Sequence, residues 1–432
     1  MTDKPLHTAF QVYEKGWALA MPLLRLSRRL QDGFAHRKLE TSLPYADLWI
    51  QAASGGEAYL AWTLLEHLRT TAPLRVLVTT NTRQGMDIIG KAAAALARIN
   101  PALTLFPAWF PFDRPSTMAA AVSQVNPKLA VLLESEMWPG FMHALKSRKC
   151  PVLIINGRMT KKSMSAYRRF PGTCKALRPD RILAISREDA HRFETVFGQG
   201  TAGVMNNIKF DSLAVDLSDK NCENPTGFMA HLIPAGARFL VLGSIRREEE
   251  ANIAQIIQKT NRARPDVITG LFPRHLERVE HWKKALSGLG LRWRLRSGIE
   301  KPVQGGDIIL WDVFGELAGA YAAADAVFVG GSLAPLGGQN FLEPLACGTV
   351  PVIGPSHENF SWVGEEIFRS GLVIKTRDSD EAADAIIRQL KDPLPHPEIA
   401  SKAMAYITAR QGGARRACEV IEKILGDEKN AA

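Results

Sequence analysis

Short apolar runs recur along the whole chain, and most of the gaps between them read as helices. In the first half the runs are LWIQAAS (48–54), RVLVTT (75–80), LTLFPA (103–108), LAVLLE (129–134), PVLIING (151–157), RILAIS (181–186) and AGVMNN (202–207). Runs that are apolar throughout, rather than at every second residue, suit strands covered on both faces. Strands of that kind alternating with helical patterns, such as EAYLAWTLLEHLRTT after the first run, predict a parallel sheet wrapped by helices. From about Ser212 to Gly236 the rhythm stops. This segment carries SDKNCENPTG and IPAG and reads as an interdomain connection. The pattern then restarts with RFLVLGS (238–244), VITGLFP (267–273), LRWRLRS (291–297), DIILWDV (307–313), AVFVGGS (326–332), VPVIGP (350–355) and GLVIKT (371–376), and ends in a helical stretch from Asp380. The expected fold is α/β, with two Rossmann-like, doubly wound domains facing a central cleft. The expected boundaries are an amphipathic segment over 1–40, a first domain over 41–211, a linker over 212–236 and a second domain over 237–425 that includes the C-terminal helix. Ligands of such sheets bind beyond the carboxyl ends of the strands, so the residues after each run are where chemistry is sought.

The formal net charge of +10 favours an anionic partner: nucleic acid, an anionic membrane or a phosphorylated substrate. The basic residues are spread along the chain and match no nucleic-acid module, so nucleic acid is set aside. The five cysteines (Cys150, Cys174, Cys222, Cys347 and Cys418) have no metal-knuckle spacing, and their number is odd. Free thiols in a reducing compartment are expected. The apolar run WALAMPLL is too short to cross a bilayer, which takes about 20 residues. Around it, Phe10, Tyr13, Trp17, Met21 and Leu24 fall on one face of a helix, accompanied by Lys15, Arg25, Arg28 and Arg29. Such a face lies on an anionic membrane or packs on its own domain. Pro22 is placed to break the helix.

Ser54-Gly55-Gly56-Glu57 follows the first run. Glu57 would sit in the first helical turn, where the dipole favours its ionised form. It is a candidate base, although Ser54 and Glu57 also have the spacing of a capping box. Glu134-Ser135-Glu136-Met137-Trp138-Pro139 follows the fourth run. Its carboxylates, Glu134 and Glu136, stand at the mouth of a buried strand, where they are costly unless paired or used. After the fifth run, Asn156-Gly157-Arg158 leads into Lys161, Lys162, Tyr167, Arg168, Arg169 and Phe170. That stretch suits a phosphorylated amphiphile or a solvated helical face. In the second half, Ser244 and Arg246-Arg247 follow the first strand, and Pro273-Arg274-His275 follows the second. Arginine can fork onto phosphate. Gly330-Gly331-Ser332 and Gly337-Gly338-Gln339-Asn340 would offer backbone N–H groups to a phosphate, and Glu343 would accept hydrogen bonds from ribose hydroxyls. Asp378-Ser379-Asp380 precedes a helix and reads as a cap rather than a metal site.

Together these motifs resemble the Kdo transferase family (3-deoxy-D-manno-oct-2-ulosonic acid transferases of lipopolysaccharide synthesis), from about Leu48 to Leu372. Ser54, Gly56 and Glu57 match its Ser-x-Gly-Glu. Glu134, Glu136, Trp138 and Pro139 match its Glu-Thr-Glu-x-Trp-Pro-Asn. Asn156-Gly157-Arg158-Met159-Thr160 is similar to Asn-Ala-Arg-x-Ser, and Asn206-Asn207-Ile208-Lys209-Phe210-Asp211 to Gly-Asn-hydrophobic-Lys-aromatic-Asp. Pro273-Arg274-His275 and Gly315-Glu316-Leu317 are present. Gly330, Gly331, Ser332, Gly337, Gly338, Asn340 and Glu343 follow the family's glycine-rich stretch, and Gly354-Pro355 and Asn359-Phe360 also fit. The departures are Gln339 for a His, Asn206 for a Gly, Gly140 for an Asn, and Gly243-Ser244-Ile245-Arg246-Arg247-Glu248-Glu249-Glu250 for the usual Ser-Thr-(His/Arg)-x-Gly-Glu-Glu.

The resemblance implies a GT-B glycosyltransferase fold that moves Kdo from CMP-Kdo to a phosphorylated lipid A precursor with inversion. It implies no metal and no cofactor beyond the donor substrate, and a peripheral or monotopic place on the cytoplasmic face of the inner membrane. Glu57 would be the base, with Glu134 and Glu136 shaping the site. Ser54, Gly56, Asn156, Arg158, Lys161, Lys162, Arg168 and Arg169 would meet the acceptor. Ser244, Arg246, Arg274, His275, Gly315, Glu316, Gly331, Ser332, Gly338, Asn340 and Glu343 would meet the donor. Two other readings stay open: a nucleotide-sugar epimerase or UDP-sugar transferase of the same architecture, and a non-catalytic paralogue that binds lipopolysaccharide precursors. No oligomeric state follows.

Overall fold

The computed structural model describes residues 4–70, 72–134, 137–213 and 226–427. The chain divides into two compact units. Unit 1 is Met1–Ser212 with Arg410–Ala432, and unit 2 is Leu213–Ala409. Each holds a seven-stranded sheet in which every pairing is parallel.

In unit 1 the strands are β1 (Leu48–Gln51), β2 (Leu74–Thr80), β3 (Leu103–Trp109), β4 (Leu129–Leu133), β5 (Val152–Gly157), β6 (Arg181–Ala184) and β7 (Ala202–Val204), in the order β3-β2-β1-β4-β5-β6-β7. Side chains alternate across the sheet. Leu48, Ile50, Val76, Val131 and Leu153 pack on one face with Leu60 and Leu64 of the helix Gly55–His67. Trp49, Leu77, Leu132 and Ile154 pack on the other with Met118, Val122 and Phe141. Both faces are covered, which is why the runs are apolar throughout.

Unit 2 has β8 (Phe239–Ile245), β9 (Ile268–Pro273), β10 (Trp293–Leu295), β11 (Ile308–Leu310), β12 (Ala326–Val329), β13 (Pro351–Ile353) and β14 (Ile374–Lys375), in the order β10-β11-β9-β8-β12-β13-β14. All the strands expected from sequence are present, shortened by a residue or more at most ends. Of the expected linker, 214–225 lies outside the described residues, and Thr226–Leu232 is helical.

The last helix, Gly413–Asp427, corrects an expected boundary. It packs in unit 1, where Ala414, Ala417, Cys418 and Ile421 join the core beside the helix Gly55–His67. The carboxylate of Asp211 accepts from the N–H groups of Gly412 (2.6 Å) and Ala414 (2.7 Å) and so caps this helix. Its own apolar stripe lies far in sequence from the strands it covers, so no local pattern assigns it. Cys150, Cys174 and Cys418 are buried free thiols, as expected, and Cys222 lies outside the described residues.

The N-terminal helix (Lys4–Leu24) runs through Pro22 and ends two residues later. The face that sequence offers to a membrane docks on unit 1 instead. Phe10 stacks on His143 with ring centroids 4.1 Å apart, and Trp17 lies 5.8 Å from Phe112. The Tyr13 hydroxyl donates to Asp113 (3.0 Å). The Glu14 carboxylate accepts from Arg114 Nε, Ser116 N and Ser116 Oγ at the start of the helix Pro115–Val125, which has no capping side chain of its own. The opposite side of the segment is left apolar and open, with Val12, Leu19, Leu23 and Leu26 exposed.

Candidate active site

In a doubly wound sheet the ligand crevice lies where strand order reverses. In unit 1 that point falls between β1 and β4, and in unit 2 between β8 and β12. The segments that leave these four strands are Ser54–Glu57, Glu134–Trp138, Arg246–Glu249 and Gly330–Ser332, four of the stretches singled out by sequence. Three strand ends are also conformationally unusual. Glu134 just after β4 (φ 56°), Asn156 next to last in β5 (φ 58°) and Ser244 next to last in β8 (φ 57°) have left-handed backbone. Non-glycine residues held there store strain that only a well-determined surrounding structure keeps in place, and such residues gather at functional sites.

In unit 1, Glu57 is 7% exposed. Its carboxylate accepts from Ala53 N (2.7 Å) and Ser54 Oγ (2.9 Å), and Ser54 Oγ accepts from Glu57 N (3.3 Å). The capping role is therefore real, and it fixes the carboxylate in one orientation at the switch point. Glu134 Oε1 accepts from Lys209 Nζ at 2.8 Å. Lys209 belongs to the segment 206–211, which ties the strand ends together. Asn156 Oδ1 accepts from Ile208 N (3.0 Å), and Asn206 Nδ2 donates to the Gln411 carbonyl (2.6 Å), which gives the Asn in place of Gly a use. Asn156 Nδ2 and Asn207 Nδ2 are buried without a hydrogen-bond partner among the described residues. Glu136 lies outside the described residues. Lys161, Lys162, Arg168 and Arg169 are exposed and make no ion pair among the described residues, and Phe170 beside them is 65% exposed. Arg158 is half-buried.

Asp113, which the sequence did not single out, is buried where the helix after β4 begins. It accepts from Gly140 N (2.9 Å) and Phe141 N (2.7 Å) at the start of the helix Pro139–Ser147, as well as from Tyr13. Burial, against those three donors, pushes its carboxyl up to about 6. A Cβ on Gly140 would lie 2.4 Å from the Asp113 carbonyl oxygen, which accounts for glycine at this departure from the family pattern.

Unit 2 corrects the expectation for the glycine-rich stretch. Its N–H groups are not open to a phosphate. Those of Gly331 (2.5 Å), Ser332 (3.2 Å) and Leu333 (3.3 Å) donate to the carboxylate of Glu249, which also accepts from Arg246 N (2.9 Å). Gly337 N donates to Ser356 Oγ, Gly338 N to the Gly331 carbonyl, and Gln339 N to the Gly330 carbonyl. The Ser332 hydroxyl is buried too, donating to Val329 O and accepting from Gly354 N. The loop is thus folded around an internal anion. Glu249 is 0% exposed, and burial raises its carboxyl while the four N–H donors pull it down. Glycine is required at Gly337, whose φ is 82° and where a Cβ would lie 2.5 Å from the Asn359 side chain.

The side chains left for a ligand are cationic. Arg274 and His275 are exposed after β9, and Arg274 N donates to the Ile245 carbonyl (2.8 Å), which sets that loop beside the one after β8. Among the described residues Arg274 and Arg247 make no ion pair, and Arg246 lies 3.8 Å from Glu248. Asn340 Nδ2 donates to Glu343 Oε1 (3.1 Å). Glu343 raises the phenol of buried Tyr321, after burial itself. Glu316 is engaged elsewhere. Its carboxylate takes both forks of Arg296 (2.8 and 2.9 Å) and Trp311 Nε1 (2.8 Å). Asp378 accepts from Glu381 N (2.9 Å), the cap that sequence expects there.

Comparison with known proteins bears on these sites. Residues 25–212 match the family model described as 3-deoxy-D-manno-octulosonic-acid transferase (kdotransferase). A 3-deoxy-D-manno-octulosonic acid transferase of Bordetella pertussis is 30% identical over 88% of this chain and 88% of its own length. That of Haemophilus influenzae is 26% identical over 93% and 92%. Among solved structures, a glycosyltransferase from Rickettsia africae (TM-score 0.56, 12% identity) and UDP-GlcNAc 2-epimerase from Neisseria meningitidis (TM-score 0.55, 12% identity) each cover 88% of the chain and 99% of their own, and show the shared α/β fold. The chain belongs to the 3-deoxy-D-manno-octulosonic acid transferase family of glycosyltransferases.

Proposed function

We propose that the protein transfers Kdo from CMP-Kdo to a phosphorylated lipid A precursor, with inversion at the anomeric carbon. The observation that carries this reading is the fixed, buried carboxylate of Glu57 at the switch point of unit 1. Glu57 takes the proton of the acceptor hydroxyl as its oxygen bonds to C2 of Kdo. The bond from C2 to the phosphate oxygen breaks, and CMP leaves with the electron pair. A positioned base contributes about 10²–10⁴-fold. Glu134, held by Lys209, and Glu136 shape the acceptor side, and Asn156 Nδ2, which has no partner among the described residues, is a donor for an acceptor hydroxyl.

Because Glu249 fills the glycine-rich loop, the departing phosphate falls to Arg274, with Arg246 and Arg247 beside it. Their fixed charge supplies what a metal would supply elsewhere, so the reaction runs without a metal or cofactor. Asn340 and Glu343 take the ribose. Lys161, Lys162, Arg168 and Arg169 face the acceptor phosphates. No helix among the described residues is long and apolar enough to cross a membrane. The protein sits on the cytoplasmic face of the inner membrane through Val12, Leu19, Leu23 and Leu26, flanked by Lys15 and Arg25.

Incubation with CMP-Kdo and a tetraacylated lipid A precursor tests the reading by product mass. The expected product is heavier by one or more Kdo residues. No transfer, together with thermal stabilisation by UDP but not CMP, would turn the reading toward a UDP-sugar enzyme.

A further inference from the structure

The loop that leaves β11 places one large apolar side chain in the open. Phe314 is 78% exposed, among the most exposed large hydrophobic residues described. The loop around it is held rather than loose. On its N-terminal side the Asp312 carboxylate accepts from Ser297 N (2.9 Å) and Ser297 Oγ (2.5 Å). On its C-terminal side the Glu316 carboxylate takes the Arg296 fork and the Trp311 indole. Trp311 is itself buried and stacks on Phe272 with ring centroids 4.1 Å apart. Two ion-paired or hydrogen-bonded struts therefore present Phe314 from a fixed base. Between them Gly315 has φ 89°, and a Cβ built there meets nothing within 4 Å, so the space over the loop is free.

The loop stands at the carboxyl edge of the sheet. β11 pairs with β9, and Trp311 N donates to the Leu271 carbonyl (2.9 Å). The next loop along that edge is the one carrying Arg274. An exposed aromatic face and an exposed guanidinium on neighbouring strand exits match the two ends of a nucleotide, a flat base and an anionic phosphate.

We propose that Phe314 is the platform on which the pyrimidine ring of the donor nucleotide stacks, with Glu316 acting as the strut that holds the platform rather than as a ligand. The proposal rests on reading unit 2 as the nucleotide-binding unit. Stacking reads the π-face of a base and not its exocyclic groups, so Phe314 supplies affinity for the ring, and the choice of cytosine is made by other contacts.

The test is calorimetric titration of the full chain with CMP, UMP and ribose 5-phosphate. In Phe314→Ala, CMP affinity falls between about 5- and 150-fold, the range that base stacking contributes. Any UMP affinity falls by the same factor, and ribose 5-phosphate, which has no base, binds as before. Phe314→Trp keeps CMP affinity. Phe314 touches no described core cluster, so the variants keep their melting temperature. If the wild type binds CMP and Phe314→Ala binds it within twofold, the platform is refuted while the donor reading stands. An equal loss of ribose 5-phosphate would also overturn it, since the loss would then not come from the base. If the wild type binds no CMP, the donor reading fails, and the platform with it.

Discussion

Replacing Glu249 by Gln tests whether an internal carboxylate holds the glycine-rich loop. The carboxylate accepts four backbone N–H groups, those of Arg246 and Gly331 on one oxygen and those of Ser332 and Leu333 on the other. Glutamine keeps one carbonyl oxygen and turns an NH2 toward the other pair of donors. Two buried N–H groups then lose their acceptor, at about 1–3 kcal/mol each. Relaxation of the loop recovers part of this, so a net loss of about 2–4 kcal/mol is expected. For a unit of this size that lowers the melting temperature by roughly 5–15 °C. Differential scanning calorimetry of the full chain, with and without CMP, reads both the fold and the site. The variant should melt lower and gain less from CMP than the wild type does. If the variant melts within a degree of the wild type, the loop stands without its anion and Glu249 does not hold it.

Asp113 gives a pH prediction. Burial raises its carboxyl from 3.8 to about 6, so between those values the folded protein holds a proton that the unfolded chain has released. Stability from this group is full below the lower value and is lost as pH rises through the upper one, by at most about 3 kcal/mol. Urea unfolding of wild type and Asp113→Asn at pH 4.5 and 7.5 should show the wild type's advantage over the variant shrinking as pH rises, and a constant difference would contradict this. Gly140→Asn, which restores the family's residue, drives a Cβ against the Asp113 carbonyl and should cost about 1–3 kcal/mol by thermal unfolding. Leu19→Glu with Leu23→Glu alters residues that are 79% and 71% exposed and should leave the melting temperature unchanged. Flotation with anionic phospholipid vesicles should nevertheless fall at least tenfold (roughly 1.5–3 kcal/mol is lost per buried leucine). Undiminished flotation would remove this face from the membrane reading.

The architecture was open to reading because it rests on short-range pattern. Apolar runs such as LAVLL and AVFVG are continuous because both sheet faces are covered, and the residues that follow them fall at the strand exits whatever the details. What eluded pattern is pairing across distance. Nothing near Gly331 in sequence announces that its N–H donates to a carboxylate at position 249, so the glycines read as an open phosphate cradle. The stripe of Phe10, Tyr13 and Trp17 shows that a helix has an apolar face, but a face bound for Asp113 and His143 has the same periodicity as one bound for lipid. Glu316 and Asp113 became legible only once their partners, Arg296 and Gly140, were in place. The spacing of Ser54 and Glu57 was legible as a cap, and the structure shows that cap holding the very carboxylate offered as a base.

Single-turnover transfer by Glu57→Gln, measured beside CMP affinity, shows whether the Glu57 carboxylate is the base. The variant's rate should be lower by about 10²–10⁴-fold with CMP binding unchanged. A variant that transfers Kdo at close to the wild-type rate would show that the Glu57 carboxylate merely ends a helix, and the catalytic account would be contradicted.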